Sequence, residues 1–434
     1  MTIFATPERV TPPTPARIRD RSVDVIRAAC LVLVVLLHAM MVGVTVVDGL
    51  PVFENALETG WFAPVSWFVQ MMPLFFIAGG FTAIGSWRRA RAAGTRPAEW
   101  VSARMGRLFG PAVVVMLTIG GGLLALTLCG VPAEIVHEAG WRLSQPMWFL
   151  GVFALSQALV PVLAGWHERT PVFALGSLGA AVAVVDVARF AAELPGIGYL
   201  NLAFAWLAIQ QLGFWAADGR LEALRVRSRA ILAQALLAAA VILVLAGPYA
   251  ANMYANQDPP TLVLVLLGGA QLALFSLARP WLRRAYERPV IAAIVDWIGA
   301  RAMTIYLWHM PALIALAGIG VLFSLGGFLP LPELHSAAWW LTRPGWLALV
   351  LIVVTAVAHA TARFERRSPG APSGIRWRAS LATVAGVGSV VLVFVAGLDW
   401  VTAIAAAGLA VTAVRLSKDG SLVGGPARRS HSVG

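Results

Sequence analysis

Long apolar segments recur along the whole chain and are separated by short polar stretches rich in arginine and proline. Each apolar segment has about 17 to 25 residues, enough for an α-helix to cross a hydrocarbon core about 30 Å thick. Because lipid offers backbone amides and carbonyls no hydrogen-bond partner, helices are the simplest structure for these segments. The pattern predicts twelve membrane-spanning helices, near residues 23–47, 65–87, 108–128, 147–164, 171–188, 199–216, 230–247, 261–278, 303–326, 345–362, 380–397 and 399–414.

The polar stretches divide the chain into one membrane domain and shorter terminal parts. Residues 1–20, with four prolines, are expected to form an extended cytoplasmic lead. We assign 21–365 to the membrane domain, 366–379 to a cytoplasmic linker, 380–415 to an extra transmembrane hairpin and 416–434 to a disordered cytoplasmic tail. The predicted fold class is therefore all-α, a polytopic transmembrane bundle of ten core helices plus a C-terminal two-helix hairpin.

The composition supports a membrane protein, since 59% of the residues are hydrophobic and only 12% charged, against about 25% charged in soluble domains. The net charge of +12 could indicate a nucleic-acid partner. However, when the loops alternate between the two sides, all Lys and Arg residues except Arg142, Arg189 and Arg343 fall on one side. This asymmetry predicts a multi-pass plasma-membrane protein with both termini in the cytoplasm, the lipid bilayer as a partner and no nucleic acid.

The first apolar segment carries three polar side chains on one face. Arg27 and His38 are eleven residues apart, so on a helix they lie about 20° apart in azimuth and about 16 Å apart along the axis. Asp24 falls on the same stripe and is expected to pair with Arg27 at the cytoplasmic mouth. His38 would then lie near the bilayer midplane, where an ionisable group is costly and is a functional candidate.

A neutral imidazole can take a proton from a hydroxyl group as that group attacks a carbonyl, so His38 is a candidate general base. The alternative is that His38 hydrogen-bonds to a neighbouring helix and only stabilises the packing. His309, in the segment TIYLWHMP, has the same two interpretations.

Arg104 and Arg107 share one helix face at the predicted start of the third span, where backbone amides also favour anions. Two guanidinium groups there would suit a phosphate-bearing ligand from the cytoplasm, although they could equally be ordinary positive-inside anchors. The loop at 247–261 could line an acceptor site or be a solvated turn. No metal-ligand spacing is present, and Cys30 and Cys129 suggest neither a disulfide nor a metal site.

Several of these motifs together resemble the membrane acyltransferase-3 family. They are DVIRAACLVLVVLLH with Arg27 and His38, PLFFIAGGF in the second span, Arg104-x-x-Arg107, WFL at 148–150 and YLWHMP at 306–311. The resemblance implies a ten-helix core with a catalytic His38, and implies that Arg27, Arg104, Arg107 and His309 help to bind acyl-CoA. One departure is Gly79, which stands where the second-span motif of the family usually has serine.

The resulting hypothesis is an O-acyltransferase that uses acyl-CoA, in particular acetyl-CoA, as donor substrate and has no permanently bound cofactor. The acceptor would be a hydroxyl group of a glycan or another small metabolite. A rival from a different class is a proton-coupled transporter in which His38 and His309 titrate, although no internal repeat supports it. A third possibility is an inactive relative that serves as a membrane scaffold.

Overall fold

The computed structural model describes residues 20–47, 50–365 and 370–419. The predicted extended lead up to residue 19, the part of the linker at 366–369 and the predicted disordered tail from residue 420 lie outside the described residues. The described residues are almost entirely helical, which confirms the predicted all-α class. The elements are α1 (Arg21–Met41), β1 (Val42–Val47), β2 (Leu50–Asn55), α2 (Phe62–Val69), α3 (Met72–Ala92), α4 (Pro97–Leu128), α5 (Ala133–Ser144), α6 (Trp148–Arg169), α7 (Pro171–Ala191), α8 (Asn201–Ala217), α9 (Val226–Ala246), α10 (Leu262–Tyr286), α11 (Pro289–Ala300), α12 (Ala302–Leu325), α13 (Ala337–Glu365), α14 (Arg376–Ala396) and α15 (Trp400–Leu416).

Eleven helical stretches of the described chain are long and apolar enough to cross a membrane. The twelfth predicted span corresponds to α15, an apolar helix of 17 residues, which is about the lower limit for a transmembrane helix. The chain is thus a multi-pass membrane protein.

The first span is shorter than predicted, because α1 ends at Met41 rather than near residue 47. The following segment, VGVTVV, forms β1, which pairs antiparallel with β2. Its β-branched side chains favour an extended backbone once a partner strand is available, and hydropathy alone does not distinguish such a strand from a helix. His38 consequently lies in the last turn of α1, four residues before the β-hairpin begins.

The third span begins earlier than predicted, at Pro97 rather than near residue 108. Proline suits the first helical position because it has no N–H to leave unpaired, and the Glu99 carboxylate accepts the backbone N–H of Arg96 at 2.9 Å. Arg104 and Arg107 therefore lie two to three turns inside α4. The expectation that free backbone amides surround these arginines is wrong, and an anion there would rely on side chains.

The start of α1 is fixed to α10 by Asp20. Its carboxylate accepts hydrogen bonds from the Ser22 backbone (3.1 Å) and from the guanidinium groups of Arg279 (2.6 Å) and Arg283 (2.8 Å). Burial by itself would raise the pKa of Asp20, but the hydrogen bond from Arg283 and its other neighbours lower this pKa from 3.8 to about 2. Asp20 therefore stays ionised at neutral pH and sets the position of the helix that carries His38.

Buried apolar side chains form two main groups. One is centred on α4, α12, α14 and α15, and includes Met105, Phe109, Met116 and Leu313. The other is centred on α3, α8 and α10, and includes Phe76, Trp206, Ile209 and Leu264. Residues of α1, α3, α6 and α8 belong to both groups, so these four helices connect the halves of the bundle.

The last two helices, α14 and α15, pack closely on α4. A Cβ atom at Gly386 of α14 would collide with the Phe109 ring, and one at Gly120 of α4 would lie 2.6 Å from the Cβ of Ala403. Small residues let helices approach closely in membranes, and α15 buries a face made of Ala403, Ala406, Ala407, Ala410 and Ala413. The two helices therefore pack as part of the same helical bundle.

Candidate active site

A cavity of about 1470 Å³, here called the central cavity, extends through the bundle between α1, α3, α4, α6 and α12. One end, the arginine end, is lined by Arg27, Arg89, Arg104 and Arg107. The opposite end, the acidic mouth, is lined by polar residues of β2 and of the loops that follow β2 and α9. Pockets for drug-sized ligands are typically about 300 to 1,000 Å³, so this cavity has room for two substrates.

Two histidines meet in the wall of this cavity. The Nε2 atom of His309, two turns into α12, lies 3.3 Å from Nδ1 of His38, and the ring centroids are 5.0 Å apart. His309 is fully buried, whereas His38 is half-buried. The two histidines that the sequence singled out on distant spans are thus direct neighbours.

Their hydrogen-bond partners assign the protons on both rings. Nδ1 of His309 lies 2.6 Å from the carbonyl oxygen of Tyr306, which can only accept, so Nδ1 is protonated and Nε2 is an acceptor. Nδ1 of His38 faces this acceptor and the Val34 carbonyl at 3.0 Å, so it too carries a proton. The lone pair of a neutral His38 is then on Nε2. No hydrogen bond from another described residue reaches that nitrogen, so it can accept a proton from a molecule in the cavity.

Tyr306 supports this pair from one turn below. Its hydroxyl donates to the carbonyl oxygen of Pro146 at 2.9 Å, and its ring packs edge-on against Phe149 with centroids 4.9 Å apart. One tyrosine in an apolar helix gives no signal in the sequence until its neighbours are known, so Tyr306 was not among the predicted site residues. Trp148 and Phe149 of the WFL motif also line the cavity.

The arginine end carries several guanidinium groups whose positive charge can attract an anion. Arg104 donates to the Ser86 hydroxyl at 2.8 Å, and its guanidinium lies over the Trp100 ring at 4.5 Å. Arg107 lies one turn away on the same face, and Arg27 faces the cavity from α1. Among the described lining residues, the carboxylates are at the opposite end. Guanidinium groups clustered at an end of the cavity that no carboxylate lines favour an anionic ligand.

Asp24 lies beside the arginine end. It forms an ion pair with Arg21 at 3.6 Å, and Arg21 also contacts Asp296 at 3.7 Å. The expected pairing of Asp24 with Arg27 remains a prediction.

The acidic mouth has a different chemistry. Its carboxylate and amide groups come from β2, the loop after it and the loop at 247–261: Glu54, Asn55, Glu58, Asn252, Gln257 and Asp258. Tyr254 of the same loop donates to the Val69 carbonyl at 2.9 Å, and burial raises the pKa of this phenol, which keeps it protonated. The loop thus contributes directly to the cavity wall.

Two further residues at the acidic mouth form polar contacts with other residues of the protein. Arg142 donates to Glu138 at 2.6 Å, which neutralises its charge. His335, to which the sequence assigned no chemistry, lines the cavity and lies with Nε2 2.8 Å from the Ala56 carbonyl. Ala56 is 279 positions away in the sequence, so the sequence pattern around His335 does not indicate this contact.

The wall between the two ends is mainly apolar, with Leu31, Phe149, Phe153 and Met310 among its residues. A Cβ atom at Gly79 would lie 3.2 Å from the Phe153 ring. The phenyl ring therefore lies beside the position where the motif in α3 would carry a serine. An apolar wall around the histidine pair lowers the local dielectric and strengthens polar interactions inside the cavity.

The described residues contain no group of three or more His, Cys, Asp and Glu side chains that could hold a metal ion. Within the same residues, Cys30 is a buried free thiol of α1 and Cys129 an exposed one after α4.

Comparison with known proteins gives one finding. A family model described as an acyltransferase domain matches residues 20–363, which covers most of the chain. Neither the curated proteins nor the solved structures provide a significant match.

Proposed function

The chain belongs to the membrane acyltransferase-3 family, and from this premise we propose that it transfers an acetyl group from acetyl-CoA to a hydroxyl group of a glycan or small metabolite. The protein would reside in the plasma membrane with both termini in the cytoplasm, so that the arginine end meets the cytoplasmic donor. The acceptor would enter at the acidic mouth. The observation that carries this proposal is the free Nε2 of His38 inside a cavity with one end lined by arginines and the other by carboxylates and amides.

In the proposed reaction His38 acts as the general base. Nε2 takes the proton of the acceptor hydroxyl while the hydroxyl oxygen forms a bond to the thioester carbonyl carbon. The carbon–sulfur bond of the resulting tetrahedral intermediate then breaks. The coenzyme A thiolate takes the proton back from the His38 imidazolium, which regenerates the neutral base.

His309 would stabilise the charged intermediate state of His38. The Nδ1–H of His38 points at Nε2 of His309, so positive charge that develops on the imidazolium meets an acceptor. The apolar wall would exclude water, which competes with the acceptor for the thioester.

The proposal is tested with inside-out membrane vesicles from cells with and without the protein. Vesicles are supplied with acetyl-CoA that carries an isotope-labelled acetyl group, and glycans and small metabolites are examined by mass spectrometry. We expect products heavier by one labelled acetyl group only when the protein is present. Uptake of a solute driven by a pH gradient, without any protein-dependent labelled product, would favour a transporter instead.

His309→Leu should lower kcat for acetyl transfer by about 10- to 100-fold and leave KM for acetyl-CoA nearly unchanged, because one hydrogen bond to a charged group contributes about 1.5–3 kcal/mol. His309→Gln keeps an acceptor oxygen and should recover part of the rate. Steady-state kinetics of both variants check this. Equal losses in the two variants, or a loss confined to KM, would contradict a positioning role for His309.

A further inference from the structure

A second, smaller cavity opens beside the arginine end. Its volume is about 330 Å³, and Trp100, Ser102, Arg104 and Arg107 of α4 form one wall. It shares both arginines and Ser86 with the central cavity, so the two spaces meet at the same guanidinium groups. This cavity is here called the side chamber.

The opposite wall of the side chamber comes from beyond the part of the chain that matches the family model. Gly370, Pro372 and Ser417 line it, whereas the family match ends at residue 363. Residues 370–373, before α14, and 417–419, after α15, lie side by side and are here called the C-terminal strap.

Backbone hydrogen bonds hold the strap together. The Ser373 N–H donates to the Ser417 carbonyl at 2.9 Å, and the Asp419 N–H donates to the Ala371 carbonyl at 2.8 Å. The Ser417 hydroxyl donates to the Val414 carbonyl at 2.8 Å, which ties the strap to the end of α15. Because α15 packs on α4, the strap is held at a fixed place beside Arg104 and Arg107.

The lining of the side chamber favours a phosphate-bearing aromatic group. Among the described lining residues two are arginines and none is a carboxylate. Trp100 is buried beneath the Arg104 guanidinium, which lies over its ring at 4.5 Å. Arginine recognises phosphate through its planar set of donors and also stacks on aromatic rings. The Ser102 hydroxyl is buried and has no hydrogen-bond partner among the described residues. A nucleotide combines the groups that these side chains can contact.

We propose that the C-terminal strap and α4 together hold the nucleotide end of the acyl-CoA donor in the side chamber. The acyl end then reaches the histidine pair through the central cavity. The inference rests on the proposed acetyl-CoA donor and adds a role for α14 and α15, which carry the strap: these two helices complete the donor site.

Charge substitutions at Pro372 test the strap. Pro372 is exposed and has no backbone N–H to lose, so Pro372→Glu changes the charge of the chamber wall with little effect on packing. The new carboxylate would compete with phosphate for Arg104 and Arg107. We expect a loss of affinity of about tenfold or more for both acetyl-CoA and adenosine 3′,5′-bisphosphate, measured by calorimetry on the full chain in lipid nanodiscs.

Two further variants separate charge from structure. Pro372→Lys should bind both probes at least as tightly as the wild type, since its charge attracts phosphate. Ala371→Glu adds the same charge one position away, at a residue that does not line the chamber, and should lower affinity clearly less than Pro372→Glu does. Unchanged affinity in Pro372→Glu, or equal losses in the Glu and Lys variants, would overturn the role of the strap.

The same measurements distinguish this inference from the proposed function. Wild-type protein that binds acetyl-CoA in a strap-dependent way but transfers no acetyl group would disprove the proposed transfer and leave the nucleotide site intact. Wild-type protein that binds neither acetyl-CoA nor the bisphosphate would disprove both.

Discussion

Replacing His38 with alanine should lower acetyl transfer from acetyl-CoA by about 10²- to 10⁴-fold, the usual contribution of a general base. The proposed general base is then absent, and Nε2 of His309 has lost its neighbour at 3.3 Å. Binding of acetyl-CoA should persist, because the arginine end is intact. Transfer is measured as labelled product in vesicles, and binding by calorimetry.

His359→Ala is the matched control. His359 is an exposed residue of α13 and does not line the central cavity, so its removal should leave transfer within about twofold, as is usual for surface substitutions. Undiminished transfer by a correctly inserted His38→Ala protein would show that another group acts as the base.

The double substitution of Arg104 and Arg107 by glutamine should lower kcat/KM for acetyl-CoA by a factor similar to that of His38→Ala, but mainly by raising KM. Each guanidinium can make charge-assisted hydrogen bonds to phosphate worth about 1.5–3 kcal/mol, so losing two should lower kcat/KM for acetyl-CoA by about 10²- to 10⁴-fold. Most of this loss should be in KM, because neither arginine belongs to the histidine pair. Each single variant should show about 10- to 100-fold.

Arg227→Gln serves as the control for lost positive charge, since Arg227 is exposed at the start of α9 and lies outside both cavities. It should leave KM unchanged. A double variant with normal KM and a reduced kcat would mean that the arginines act on the reacting groups and not on donor binding.

Much of the fold follows from hydropathy. Most of the membrane-spanning helices are visible as apolar runs, whereas the shorter helices α2, α5 and α11 were not predicted. The ends of helices were less predictable. Met41 ends α1 because Val42–Val47 finds a partner strand, and that pairing depends on tertiary contacts that no local pattern contains.

The candidate site, too, was only partly predictable from the sequence. Helical spacing placed Arg27 and His38 on one face, and both line the central cavity. The contact between His38 and His309 joins residues that are 271 positions apart, so it could not be read from spacing. Tyr306, His335 and the strap residues become candidates only through the neighbours that the fold brings to them.

The opposite charges at the two ends of the central cavity also affect how permeable the protein is to small ions. A passage through a membrane protein is a potential leak for small ions, and ions avoid regions of like fixed charge. Arginines at one end repel Na⁺ and K⁺, whereas Glu54, Glu58 and Asp258 at the other repel Cl⁻. Arranged in series, these two regions act like the junction of a bipolar membrane, so that an ion of either sign meets an electrostatic barrier at one end. If the donor and the acceptor enter from opposite sides, as proposed, this arrangement would admit both without dissipating the membrane potential.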